Sequence, residues 1–172
     1  MKTLYILRHA KAVAESPRGD SARPLAKRGR KAAKAMGAFL ASLDQAPELV
    51  LCSTAARTRE TLDLVLPALD PEPSVAFEDE LYLAAAGELL ERLKKLPKTI
   101  GCVLLIGHNP GLHELAARLA TEPGPLVDGF PTAALAALEA KGSWAELGWR
   151  KAVLALYRTP KELKLDLDPE LD

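Results

Sequence analysis

The first apolar run of the chain, Thr3-Leu4-Tyr5-Ile6-Leu7, stops abruptly at Arg8-His9. A β-branched and aromatic run this short, bounded by polar residues, predicts a buried strand and not a helix. Two later runs have the same form. Glu48-Leu49-Val50-Leu51-Cys52 leads into Ser53-Thr54-Ala55-Ala56-Arg57-Thr58, and Cys102-Val103-Leu104-Leu105-Ile106 leads into Gly107-His108-Asn109-Pro110-Gly111. In open α/β sheets, ligands bind in the crevice at the carboxyl ends of the strands. Three parallel strands of this kind would bring Arg8, His9, Arg57 and His108 to one sheet edge.

Helical stripes lie between the runs. Ala32, Met36, Phe39, Leu40 and Leu43 recur at three- and four-residue spacing, as do Leu62, Val65, Leu66 and Leu69. Leu89, Leu90, Leu93 and Leu96 form a third stripe, closed by Pro97, and Leu112, Leu115, Ala116 and Leu119 a fourth. Asn109 is placed to cap that last helix, with Pro110 at its first position. Val75-Ala76-Phe77 reads as a short strand. Ala134–Leu138 and Ala152–Tyr157 read as an antiparallel pair at the sheet edge, joined by a loop bearing Trp144 and Trp149. The whole is an α/β three-layer sandwich, with a mostly parallel central sheet of about six strands flanked by helices.

Ala10 to Arg23 is polar and carries Pro17-Arg18-Gly19-Asp20, the pattern of a loop over the active edge. Lys27, Arg30, Lys31 and Lys34 form the far side of the first helix, read as a solvated basic face. Residues 1–160 are expected to form one domain, and residues 161–172 a loose acidic tail.

Lys+Arg and Asp+Glu balance at 23 each, so no global field draws nucleic acid or an anionic membrane. No apolar stretch approaches the ~20 residues of a membrane span. The start runs directly into the first strand, so no secretory signal is expected and the protein reads as cytoplasmic. Cys52 and Cys102 lie in or beside buried runs, where two reduced core thiols are expected. His113 follows His108 by five residues, not the four that align two metal ligands on one helix face, so no metal site is expected.

The residue types at the strand ends suit phosphoryl transfer. An arginine fork matches phosphate oxygens in pairs, and a neutral imidazole can attack phosphorus. His9 is the candidate nucleophile. Arg8 and Arg57 are the candidate phosphate clamps, and Arg57 sits in the first turn of a helix, where free N–H groups favour an anion. His108 and Asn109 are further donors to the same oxygens. Both arginines discourage protonation of His9. Arg59 is expected to point away to solvent.

Leu7-Arg8-His9, the pattern Ser53…Arg57…Thr61 and Gly107-His108-Asn109-Pro110-Gly111 resemble the histidine phosphatase superfamily. Arg8-His9-Ala10-Lys11, together with Asp20, Arg23-Pro24-Leu25 and Gly29, is similar to its small SixA-type branch, the phosphohistidine phosphatases. The similarity runs from Met1 to about Tyr157. It implies a phosphoglycerate mutase-like fold and hydrolysis of a phosphoric monoester or phosphoramidate without a cofactor. A phosphohistidine intermediate on His9 is implied, with Arg8, Arg57 and His108 in the catalytic set.

One departure stands out. Larger members that cleave esters carry a Glu two residues after a Leu beyond the third strand, whereas here Leu81 is followed by Tyr82 and Leu83. Glu80 is the carboxylate nearest in sequence that could replace that acid. An imidazole, with its ordinary pKa near ~6.5, leaves far more readily than an alkoxide, so a site without this acid suits a phosphorus–nitrogen bond. The expected substrate is therefore phosphohistidine on a partner protein of the histidine phosphotransfer type. A phosphatase of small phosphorylated molecules and a module that binds phosphorylated ligands without turnover are the alternatives.

Overall fold

The computed structural model describes residues 1–163 of the 172-residue chain. Four apolar runs become adjacent parallel strands: β1 (Lys2–Arg8), β2 (Leu49–Ser53), β3 (Ser74–Glu78) and β4 (Cys102–Gly107). β5 (Leu135–Ala140) and β6 (Ala152–Arg158) complete a six-stranded sheet in the order β3-β2-β4-β1-β5-β6. β5 runs antiparallel to β1, and β6 antiparallel to β5. The expected antiparallel pair is therefore present, with β6 outermost.

Side chains alternate across the sheet, and helices cover both faces, which is why the strands read as continuous apolar runs. Leu4, Ile6, Leu51, Val103 and Leu105 face one cluster, shared with α3 (Ala86–Lys94) and α4 (Gly111–Leu119). Tyr5, Leu7, Val50, Cys52, Leu104 and Ile106 face the other, shared with α1 (Lys27–Ala41) and α2 (Ala56–Val65). Cys52 and Cys102 lie on this second face, free and buried, and burial pushes each thiol up to about 12. Lys27, Arg30, Lys31 and Lys34 are exposed along α1. Among the described residues no helix is long and apolar enough to cross a membrane.

Two details differ from the sequence pattern. α4 begins at Gly111, with Pro110 rather than Asn109 in the capping position, because the Asn109 amide turns away to donate to Phe130 O. Of the tail expected from Lys161, residues 161–163 belong to a short 3-10 turn, Pro160–Leu163, and Leu163 packs beside the α1–α2 face. The rest of that tail lies outside the described residues.

The register aligns Arg8 with Gly107, so β1 and β4 end together and β2 ends beside them. α1 packs directly on the chain leaving β1. A Cβ at Gly29 would lie 2.0 Å from Lys11 O, the carbonyl that accepts the Ala26 N–H at 2.9 Å. Gly29→Ala should force that backbone apart and destabilise the protein by about 1–3 kcal/mol, the range for overpacking. Thermal unfolding checks this, and an unchanged midpoint would mean that helix and strand exit do not bear on one another.

Candidate active site

Three strand exits build the site. His9, immediately after β1, donates its N–H to Gly107 O at 3.2 Å, and its own carbonyl accepts the Ala133 N–H at 3.0 Å. His108 follows β4, where its carbonyl accepts the Leu112 N–H and so joins the first turn of α4. Arg57 lies in the first turn of α2, after β2. Thr61, one turn further on, ties α2 to the loop that follows His9. Its hydroxyl donates to Arg57 O at 2.7 Å and accepts the Ala10 N–H at 2.9 Å.

His9 is 7% exposed, Arg57 2% and His108 3%, so these groups meet largely away from water. His9 Nδ1 lies 2.8 Å from Ala10 O. A carbonyl oxygen only accepts, so Nδ1 carries the proton and Nε2 keeps its lone pair. Arg57 Nε donates to that Nε2 at 3.4 Å. The two imidazole centroids are 5.4 Å apart. His108 Nε2 shares a proton with Ser53 Oγ at 2.8 Å, while its Nδ1 is buried with no partner. Arg8 Nη1 and Asn109 Nδ2 both donate to Phe130 O, at 3.2 and 2.8 Å. Arg8 Nε and Asn109 Oδ1 are likewise buried and unpaired. Unpaired buried polar atoms are rare in folded proteins, and these three belong to residues at the exits of β1 and β4.

A carboxylate reaches the same point. The 3-10 turn Asp20–Ala22 brings Asp20 onto Arg57, whose Nη1 donates to Asp20 O at 2.9 Å and Nη2 to Oδ2 at 3.1 Å. Arg23 Nε donates to Asp20 Oδ1 at 3.0 Å, and the Tyr82 hydroxyl donates to Oδ2. Tyr82 also sets its ring edge-on to His108, with centroids 5.3 Å apart. Gly111 fixes this side of the site, since a Cβ there would lie 1.8 Å from Ala84 O. The start of α4 thus rests on the loop that follows Tyr82.

The electrostatics follow from burial and from the arginines. Burial, then the Arg8, Arg57 and Arg23 cations, lowers His9 to about 4, against the pull of its bond to Ala10 O. Burial, then Arg57 and His9, lowers His108 to about 3. Burial and the Arg57 charge lower Arg8 from its ordinary value. The Tyr82 hydrogen bond, followed by those of Arg23 and Arg57, holds Asp20 down at about 2. Both imidazoles are therefore neutral and Asp20 is ionised at neutral pH.

Arg8, His9, Arg57, His108 and Asn109 come together as the motifs require. Ser53, at the end of β2, joins them, as do Asp20, Arg23 and Tyr82, to which strand-end logic does not point. The signal for Asp20 and Arg23 is their spacing before Pro24-Leu25; Tyr82 carries none beyond the missing glutamate. Glu80 does not take that acid's place, being exposed and lining an outer groove with Glu88 and Arg92. Arg59 lies over the Phe77 ring at 4.0 Å, and His113 Nε2 donates to Leu126 O, so neither enters the site.

Two buried neutral histidines make the fold sensitive to acid. Their folded-state pKa values lie below the unfolded ~6.5, so the unfolded chain binds more protons in between, and stability falls as pH drops from about 6.5 to about 3. The thermal midpoint should fall across that window, and less steeply in His108→Gln. Identical slopes for the two proteins would mean that His108 is not buried neutral.

A profile of the histidine phosphatase superfamily (branch 1) matches residues 4–95. An uncharacterized protein of Mycobacterium tuberculosis is 32% identical over 162 residues, covering 90% of this chain and 100% of the relative. The putative phosphohistidine phosphatase SixA from Nakamurella multipartitia is 33% identical, with a TM-score of 0.81 over 92% of this chain and 96% of its own. The protein histidine phosphatase SixA complexed with tungstate is 26% identical, with a TM-score of 0.79 over 94% and 99%. With strand exits, arginines and paired histidines arranged as described, this chain belongs to the histidine phosphatase superfamily and to its SixA-type group.

Proposed function

We propose that this phosphatase removes phosphate from phosphohistidine on a partner protein, through a covalent intermediate on His9. The observation that carries the reading is the state of His9. Its Nδ1–H is fixed on the Ala10 carbonyl and its Nε2 lone pair lies against the Arg57 guanidinium. A binding module needs the arginines but has no use for a neutral, oriented imidazole.

In this reading Nε2 bonds to phosphorus as the substrate's P–N bond breaks. Arg8, Arg57, His108 and Asn109 hold the three equatorial oxygens, whose charge is the main thing a phosphoryl-transfer site must neutralise. The unpaired Arg8 Nε and His108 Nδ1 are the donors that such oxygens would satisfy. Water then attacks the phosphorylated His9, whose ring leaves with its Nδ1 proton in place. The water oxygen and both its protons end on the released phosphate. The tungstate bound to the SixA relative is an oxyanion of comparable shape, in keeping with an oxyanion pocket here. The rim of the site is half-exposed at Asp20, which suits a side chain presented by another protein.

The test pairs a phosphohistidine-bearing phosphotransfer protein with an aryl phosphate ester, in the presence of chelator. Wild type should clear the phosphohistidine and leave the ester largely intact, while His9→Ala should do neither. Arg57→Ala should lose about 10²–10³-fold in kcat, as expected for one charged donor to the transition state. A preference for the ester would replace this reading with that of a small-molecule phosphatase, and full activity in His9→Ala would remove the nucleophile assignment. Because His9 is lowered to about 4, protonation of this imidazole should not reduce kcat/KM as pH falls from 8 to about 5. A loss of kcat/KM as pH falls below 6.5 would contradict this.

A further inference from the structure

Asp20 is out of place in a pocket built for an anion. Its carboxylate touches Arg57 and Arg23, the same kind of donors that a phosphoryl group needs. It is also firmly set there. Gly19, at φ 98°, starts the turn that carries it, Arg23 is anchored by its second donor on Val13 O at 2.8 Å, and Tyr82 bonds the oxygen that faces Arg57. One guanidinium thus has the His9 lone pair on its Nε and the Asp20 carboxylate on Nη2. A fixed negative charge beside a site for phosphoryl oxygens weakens the binding of any dianion. Such a charge is favourable only if something positive arrives together with the phosphate.

We infer that Asp20 is a specificity-determining residue, which selects a phosphoryl donor whose leaving group is a protonated imidazole ring. The inference rests on the phosphatase reading above and deepens it. In a phosphoimidazole with a proton on its distal nitrogen, the ring is cationic and that N–H can donate to the Asp20 carboxylate. When His9 Nε2 forms its bond to phosphorus, the electron pair of the breaking P–N bond stays on the ring nitrogen. The ring then departs neutral with the distal proton still attached, and no acid has to supply one. Asp20 does for the leaving imidazole what the Ala10 carbonyl does for the attacking one, each holding a ring N–H directed away from phosphorus. Donor and acceptor are then chemically alike, and transfer between them is nearly balanced. An ester has no such proton to offer. Its leaving oxygen gathers negative charge beside a carboxylate held ionised by its partners, and the site disfavours it.

Asp20→Asn removes the charge while keeping the size of the side chain and an oxygen for Arg57 and Tyr82. The full chain would be assayed with N-phosphoimidazole and with p-nitrophenyl phosphate, and with inorganic phosphate as inhibitor. The two substrates should move in opposite directions: kcat/KM falls about tenfold for the phosphoimidazole, the loss of one charge-assisted hydrogen bond, and rises for the ester, while phosphate inhibits more strongly. Tyr82→Phe, which keeps the charge, should retain the wild-type preference. Parallel losses on both substrates in Asp20→Asn would reduce Asp20 to a brace for Arg57 and overturn the inference, leaving the phosphatase reading intact. Loss of the preference in Tyr82→Phe would overturn it as well, by moving selectivity to the phenol. A wild-type protein that cleaves the ester but not the phosphoimidazole would overturn both.

Discussion

A guanidinium does not lose its proton within a protein, so a buried arginine must keep its charge and be given partners for it. Arg57, 2% exposed, is the point on which the site depends for that reason. Its Nε reaches the His9 lone pair, its Nη groups reach the Asp20 turn, and its carbonyl accepts from Thr61, whose hydroxyl receives the Ala10 N–H. The charge that would neutralise a phosphoryl group is therefore also the charge that assembles the loops around it. Removing Arg57 takes away more than a ligand to oxygen. It strips the Asp20 turn of its inner anchor and leaves His9 with only the Ala10 carbonyl to orient it.

Much of this arrangement is legible in the residue order, and physics separates the legible part from the rest. β1, β2 and β4 are covered on both faces, so each reads as an unbroken apolar run, and the first polar residue after each run is where the strand leaves the core. That logic reaches Arg8, His9, Ser53 and His108 directly, and Arg57 one short loop later, in the first turn of α2. It does not reach Asp20 or Tyr82. Asp20 arrives from a polar loop whose path is set by one isolated bridge, Ala12 to Leu25, and by a short 3-10 turn. Tyr82 arrives because Gly111 lets α4 lie against Ala84 O, a contact between segments far apart in sequence. Asn109 illustrates the opposite case. Its residue type and position beside Pro110 fit a helix cap, but its Oδ1 bonds no backbone N–H of α4, and its Nδ2 donates to a carbonyl from a third segment, Phe130 O. Local propensity yields wherever tertiary partners are better placed.

The missing glutamate after Leu81 bears on the chemistry in a way that becomes concrete only once Asp20 is seen. The site contains a carboxylate after all, but one held ionised by two arginines and a phenol, and so unsuited to donate a proton. An acid for an ester's leaving group should be neutral at the working pH, as burial away from cations would make it. The Tyr82 hydroxyl and the Arg23 and Arg57 cations do the reverse at Asp20. Its surroundings match the task of accepting a hydrogen bond from a cationic group.

The same burial that keeps His9 neutral leaves Arg8 Nε and His108 Nδ1 without side-chain or backbone partners. A buried polar atom of this kind demands a partner, on a scale of about 1–3 kcal/mol. Oxyanion oxygens that bond these donors meet that demand, and the gain favours a phosphoryl group at this point. It adds equally to the ground state and the transition state unless the donors are aimed at the oxygens as they flatten around phosphorus. The rigid backbone contacts at Gly29 and Gly111 serve that end, since they fix the loops bearing His9 and Tyr82 by direct packing of main chain on main chain, leaving little slack for the donors to follow the substrate instead of the transition state.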